Sequence, residues 1–248
     1  MSKILTQPMF SQLVLSSADG LSGYLDVGNH QASFGPIGLA SGAAPPAFHH
    51  TKNIGVFDKT YNLDPTNPSH PSLHVNATNL VSTANSSGLG IDAVSTQATA
   101  DFGSTNVLLT DNPRFALGIL GLSVSATFIH SASSASYVFG MNHGFLSGDA
   151  SFGSLSIGGA LIGKTLMFTG DAKANTILFH NSSVIITLDK QIQSDFLPQS
   201  AAAASPAHNR ITTDAIDIHL NNAHLFGKTI TGDIKLGETS ASLFPLHA

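Results

Sequence analysis

Twelve histidines are the feature of this 248-residue chain most suggestive of chemistry. His49 and His50 are adjacent, and His70 and His74 stand four apart. Imidazole is a good ligand for zinc, copper or nickel. A spacing of four aims two side chains the same way only on a helix, and Pro68 and Pro71 oppose a helix there. No His-Glu-x-x-His or Cys-His signature accompanies them. They read as solvated loop histidines, and no metal ligand is assigned.

Asp217, His219 and Asn221 project from one side of a strand, with His224 shortly after. Same-face neighbours on a strand sit about 6–7 Å apart at Cα, close enough for an Asp–His hydrogen bond. A hydrolase would also need a Ser or Cys nucleophile against that pair. Serines are abundant, but no Gly-x-Ser-x-Gly elbow occurs. These residues read as a polar outward face, and no catalytic residue is assigned. Gly88-Leu89-Gly90 is a fragment of a dinucleotide fingerprint with no helix signal behind it, so no cofactor is expected. Asp214 and Asp217 lack the order of a calcium loop. Asn76, Asn85 and Asn181 match glycosylation acceptors in form only.

The elements that must position these residues are strands. From Arg210 to Leu243, Ile216, Ile218 and Leu220 alternate with Asp217, His219 and Asn221. Ile230, Ile234 and Leu236 then resume beside Thr229, Thr231, Asp233 and Lys235. A period of two places apolar and polar side chains on opposite faces. Asn221-Asn222 and Gly227-Lys228 supply turn residues.

Short strands separated by Asp19-Gly20 and Gly28-Asn29 are expected over 10–40. Residues 41–72 concentrate proline and read as an irregular surface loop, interrupted by a short strand near Ile54–Phe57. Strands return from Leu73. Arg114 to Val124 fits a short helix or a buried strand. Residues 198–209, with four alanines between prolines, read as a connector loop. The spacing of turns suits a sandwich, barrel or solenoid.

Composition narrows the partners. Charged residues make up 10% of the chain and hydrophobic residues 42%, against about 25% charge in an ordinary globular protein. The surface is therefore expected to be neutral and hydroxyl-rich. A formal charge of −5 argues against nucleic acid, which needs clustered basic residues. There is no cysteine, hence no disulfide scaffold or thiolate site. No apolar run of about 18 residues offers a membrane span. Met1 to Phe10 lacks the apolar core of a secretory signal.

The succession of a Ser/Gly strand from Gly153, an Asn175-Thr176-Ile177 turn, an apolar strand Val184–Leu188 and the strand Ile211–Leu220 resembles the choice-of-anchor P family of bacterial cell-surface proteins. Thr213, Ala215, Ile216, Gly232, Asp233, Ile234, Gly237 and Ala241 carry its ending. The likeness covers roughly the last two-fifths of the chain. It implies an extracellular, β-rich surface component and no catalytic residues. No sorting motif or hydrophobic tail follows Leu243, so the expected attachment is non-covalent.

The expectation is an all-β fold: a β-sandwich or irregular β-solenoid-like stack with a Pro-rich inserted loop, in a single domain over 1–248. The expected function is structural, with a homo-oligomer or homopolymer built through edge strands and Met9–Leu15 as a donor strand. The alternative is a carbohydrate- or ligand-binding surface module, and a hydrolase with an unrecognised Ser/His/Asp site is a third reading.

Overall fold

The computed structural model describes residues 12–44, 46–64, 66, 71–87, 93–111, 120–138, 143–194 and 210–245. Thirteen strands are found among them: β1 (Gln12–Val27), β2 (His30–Ile37), β3 (Ala40–Ala44), β4 (His49–Asn62), β5 (Ser72–Ser87), β6 (Ala93–Thr110), β7 (Leu120–Val138), β8 (His143–Gly158), β9 (Leu166–Asp171), β10 (Thr176–His180), β11 (Val184–Ser194), β12 (Arg210–Leu225) and β13 (Lys228–Pro245). They form two antiparallel sheets. One runs β10-β11-β12-β13-β1-β2, with β3 also on β1, and the other runs β4 through β9 in chain order. The sheets pack face to face, with β1 over β5 and β6, β13 over β6 and β7, and β12 over β7 and β8.

Alternation decides which side chains meet between the sheets, but it slips once in each long strand. Successive inward residues step by three rather than two from Ala18 to Leu21, Ala77 to Leu80, Phe102 to Thr105, Ala126 to Ile129, Phe152 to Leu155, Thr213 to Ile216 and Leu236 to Thr239, all of them buried. The slips line up. In the seven-stranded sheet the ladder omits one row through Asp189, Ala215, Gly237 and Gly20. In the other it omits a row through Gly55, Asn79, Gly103, Phe128 and Gly153. Positive φ falls on every second member: Asp189 (48°) and Gly237 (66°), then Asn79 (51°) and Phe128 (50°). The central strands slip together, so their ladders keep register across the row, while the β8–β9 ladder shifts register there.

The two rows lie at one height. A Cβ on Gly237 would come within 3.3 Å of Ser131 Cβ, and one on Gly20 would meet Leu80. On one side of this level the core is large and aliphatic, with Leu73, Leu122, Ile157, Ile186, Ile216 and Leu236. On the other it is first small, with Ala18, Ala98 and Ala100 packed together and Ser131, Ser133, Thr213 and Thr239 buried, before a second apolar cluster of Val14, Val94, Ile211 and Leu243. Ser133 Oγ donates to Thr213 Oγ1 at 2.9 Å and lies 2.9 Å from Thr239 Oγ1. Part of the hydroxyl content expected on the surface is therefore inside, where paired hydroxyls fill space without an unsatisfied donor.

Several expectations are corrected. Residues 41–72 are not an irregular loop: they contain β3 and the 14-residue β4. β4 is an edge strand exposed on most of its length, so it lacks the apolar period that marks a half-buried strand. The proposed donor segment is already used. Gln12–Leu15 pairs with β13, and from Val14 onward with β3 as well; Met9–Ser11 lie outside the described residues. Leu120–Val124 takes the strand alternative as the start of β7. The connector 198–209 lies outside the described residues.

Candidate functional site

The outer face of the seven-stranded sheet gathers most of the buried charge. Two cross-strand rows flank the slip. One aligns Asp19, Glu238, Asp214 and Lys190; the next aligns Ser22, Lys235, Asp217 and Thr187. Because the phase slips between them, Asp214 and Asp217 both point outward although three residues apart, and the same holds for Lys235 and Glu238. Lys190 Nζ donates to Asp217 Oδ2 at 2.7 Å. Lys235 Nζ donates to Glu238 Oε2 at 3.0 Å and stands 3.5 Å from Asp214 Oδ2.

This face is expected to be solvated, yet Asp214 is fully buried and Asp217 is 2% exposed. Asp19 Oδ1, both Asp214 oxygens and Asp217 Oδ1 have no hydrogen-bond partner. Burial, then Glu238 and Asp214, push the Asp19 carboxyl up to about 7. Burial, only partly offset by Lys235, pushes Asp214 up to about 7. Burial acts to lower Lys235, but Asp214 and Glu238 override it and hold the ammonium above its ordinary range. Carboxyls titrating near neutrality are what general acid–base work requires. Here two lysines stand beside them, Lys190 against Asp217 and Lys235 against Asp214. A shallow groove of 410 Å3 lies farther along the face, lined by Ser17, Ser41, Arg210, Ser240 and Ser242.

The strand carrying Asp217 and His219 divides them between different partners. His219 Nδ1 lies 2.7 Å from Asp233 Oδ1 on β13, not against Asp217, because the cross-strand neighbour is closer than the next same-face residue. His224 is exposed, with Nδ1 3.4 Å from Thr229 Oγ1. His50 Nδ1 meets the Ser41 carbonyl at 2.6 Å, and His74 lies 3.0 Å from Thr60 Oγ1. His70 and Gly88–Gly90 lie outside the described residues. Among the described residues no three His, Cys, Asp or Glu side chains gather to hold a metal ion, and no helix is long and apolar enough to cross a membrane. Asn76, Asn85 and Asn181 are at least partly accessible.

Sequence reasoning passed over a second cluster, on the outer face of the six-stranded sheet. His130 Nδ1 is 2.6 Å from Asp101 Oδ1, and its Nε2 is 3.6 Å from Asp149. The Asp101 hydrogen bond leads in holding the His130 pKa above its ordinary value. Around it lie rows of bonded hydroxyls, Thr78 with Ser104 and Thr127 with Ser154, both at 2.8 Å. Beside them Phe128 is 72% exposed.

No family model matches the chain, and no curated protein sequence matches it. Among solved structures it is similar to the crystal structure of Ail, the attachment invasion locus protein of Yersinia pestis, at 5% identity and a TM-score of 0.19, over 95% of this chain and 99% of that one. A superposition that loose carries nothing about activity.

Proposed function

We propose that the chain is a non-enzymatic β-sandwich subunit that adds to its neighbours head to tail in a bacterial extracellular or cell-surface layer. Strand parity is the observation that carries this reading. Each sheet path holds six strands, all paired antiparallel, so its two outermost strands run in opposite directions. A copy translated sideways brings its β2 against a neighbour's β10 and its β4 against β9, both antiparallel. Such an operation is heterologous and does not close, which makes a filament.

Same-edge pairing is disfavoured. On β4, Lys52 sits opposite inward Ser82 and Lys59 opposite inward Val75, and inward charges on an edge strand resist any added strand, so the joint rests on β2 with β10, and β4 only faces β9. The opposite side has no such guard on β10, and it exposes Met167 and Ile177. Low charge reduces repulsion between stacked copies. The resemblance to the choice-of-anchor P family supports the surface placement.

The test is negative-stain microscopy with light scattering on the full chain over a concentration series. Filaments that lengthen with concentration are expected, and the double variant Met167→Lys, Ile177→Lys shortens them. A monomer at every concentration overturns the reading.

A further inference from the structure

The slip row asks the same backbone conformation of four residues, and three of them suit it. Asn79, Asp189 and Gly237 belong to the types that enter the left-handed region at low cost. Phe128 does not. An aromatic residue at φ 50° is strained in that conformation. Burial does not offset the strain, since the side chain is 72% exposed. Strain of this kind persists where the side chain is needed in place.

The ring lies against the backbone of Gly153 on β8, where an added Cβ would be 2.9 Å from Phe128 Cδ2. The ring therefore rests beside Gly153 with most of its surface open to solvent. Around it on the same face stand donors and acceptors: the Thr127–Ser154 hydroxyl pair in the adjacent row, and His130 bridged to Asp101 and Asp149 two residues along β7.

We propose that Phe128 is the stacking platform of a binding site for neutral polysaccharide on the outer face of the six-stranded sheet. A pyranose ring has apolar C–H faces and a rim of hydroxyls. It matches an aromatic ring set in a field of carboxylate, imidazole and hydroxyl groups. Asp101 and Asp149 select against anionic sugars by repulsion. The site does not depend on filament formation, because it lies on a face rather than an edge.

The experiment is native affinity electrophoresis of the full chain through gels containing hydroxyethyl cellulose, a soluble β-glucan, galactomannan or dextran, with heparin as the anionic control. Retardation by at least one neutral polymer is expected. Phe128→Tyr preserves it, and Phe128→Asn weakens it tenfold or more. Asparagine suits the left-handed backbone, so Phe128→Asn is expected to keep or raise the urea midpoint. No retardation by any neutral polymer, retardation by heparin alone, or undiminished retardation of Phe128→Asn overturns the site. A lowered urea midpoint in Phe128→Asn shows instead that the ring serves only to cover Gly153, and overturns it equally.

Discussion

Lys235 Nζ stands 3.5 Å from Asp214 Oδ2, yet neither oxygen of that fully buried carboxylate accepts a hydrogen bond. The pair is electrostatic only, and burial outweighs it. A carboxyl whose folded value is raised to about 7 keeps its proton in the folded state after the unfolded chain has lost it near pH 4. Between those values the folded state binds more protons, so stability falls as pH rises. Asp19 acts in the same sense, and so does His130, whose raised value adds stability below its ordinary pKa. The urea midpoint is therefore expected to decline from pH 5 to pH 8. Asp214→Asn should flatten that slope and gain about 1–3 kcal/mol at pH 8, at 1.36 kcal/mol per pKa unit with allowance for the lost Lys235 attraction. A midpoint that rises over this range contradicts the assignment.

Asp64 sets the acid limb. It accepts from Thr66 N at 3.0 Å and Thr66 Oγ1 at 2.5 Å, and it faces Lys228 Nζ at 3.2 Å and His30 Nε2 at 3.7 Å. These contacts tie the segment after β4 to the start of β13 and to the start of β2, clasping the two sheets at one end. The Thr66 bond leads, with Lys228, in holding the carboxyl down to about 2. A depressed acid contributes stability above its unfolded value and loses it as pH falls through the folded one. Asp64→Asn is expected to lower the urea midpoint at pH 7, and the difference from the wild type should vanish near pH 2. Amide exchange should quicken first at Lys228 and Thr229.

How far the sequence was readable depends on how much of each strand is one-sided. Ile216, Ile218 and Leu220 point inward as their alternation requires, because β12 has a neighbour on each side and a covered inner face. Of β4 only Ile54–Phe57 was legible as strand, because His49–Asn62 meets solvent over most of its surface and nothing there selects for apolar residues at every second place. The slip was visible in principle as Ala77 to Leu80 or Phe102 to Thr105, but in one strand such a step looks like noise. Only lateral register shows that the steps share a row. The carboxylate cluster was hidden for the same reason: Asp19, Glu238 and Asp214 are remote in sequence and adjacent only across three strands. Asp214 and Asp217 were weighed as a calcium loop, when their spacing of three instead marks two outward residues flanking a slip.

Ser133 is the centre of the small, hydroxyl-bearing layer of the core. Its hydroxyl meets Thr213 Oγ1, Thr239 Oγ1 and the Thr239 carbonyl at 2.9, 2.9 and 3.1 Å. Ser133→Ala removes a shared partner without a large cavity, and is expected to cost about 1–3 kcal/mol for the hydroxyls left behind. Changing Ser133, Thr213 and Thr239 together to Ala, Val and Val removes both sides of each side-chain bond and should cost less than the summed single changes. Urea titrations of the single variants and the triple variant check the ordering. Strict additivity would show that the hydroxyls do not act as one network.

Gly237 tests the shared slip itself. Its φ of 66° is left-handed, and an alanine Cβ would lie 3.1 Å from Ala215 Cβ and 3.3 Å from Ser131 Cβ. Both neighbours are fixed by their own strands, so the contact cannot be relieved by a rotamer change. Gly237→Ala is expected to cost about 2–4 kcal/mol, combining roughly 1–2 for the backbone with a crowding cost of 1 or more. Asn79 holds the corresponding conformation in the other sheet, with its side chain on the outer face. Asn79→Gly should be near neutral, while Asn79→Val costs more than 1 kcal/mol because a β-branched residue resists the left-handed region. If Gly237→Ala and Asn79→Val both leave the urea midpoint unmoved, the slip rows are not the constraint that fixes where each strand changes phase.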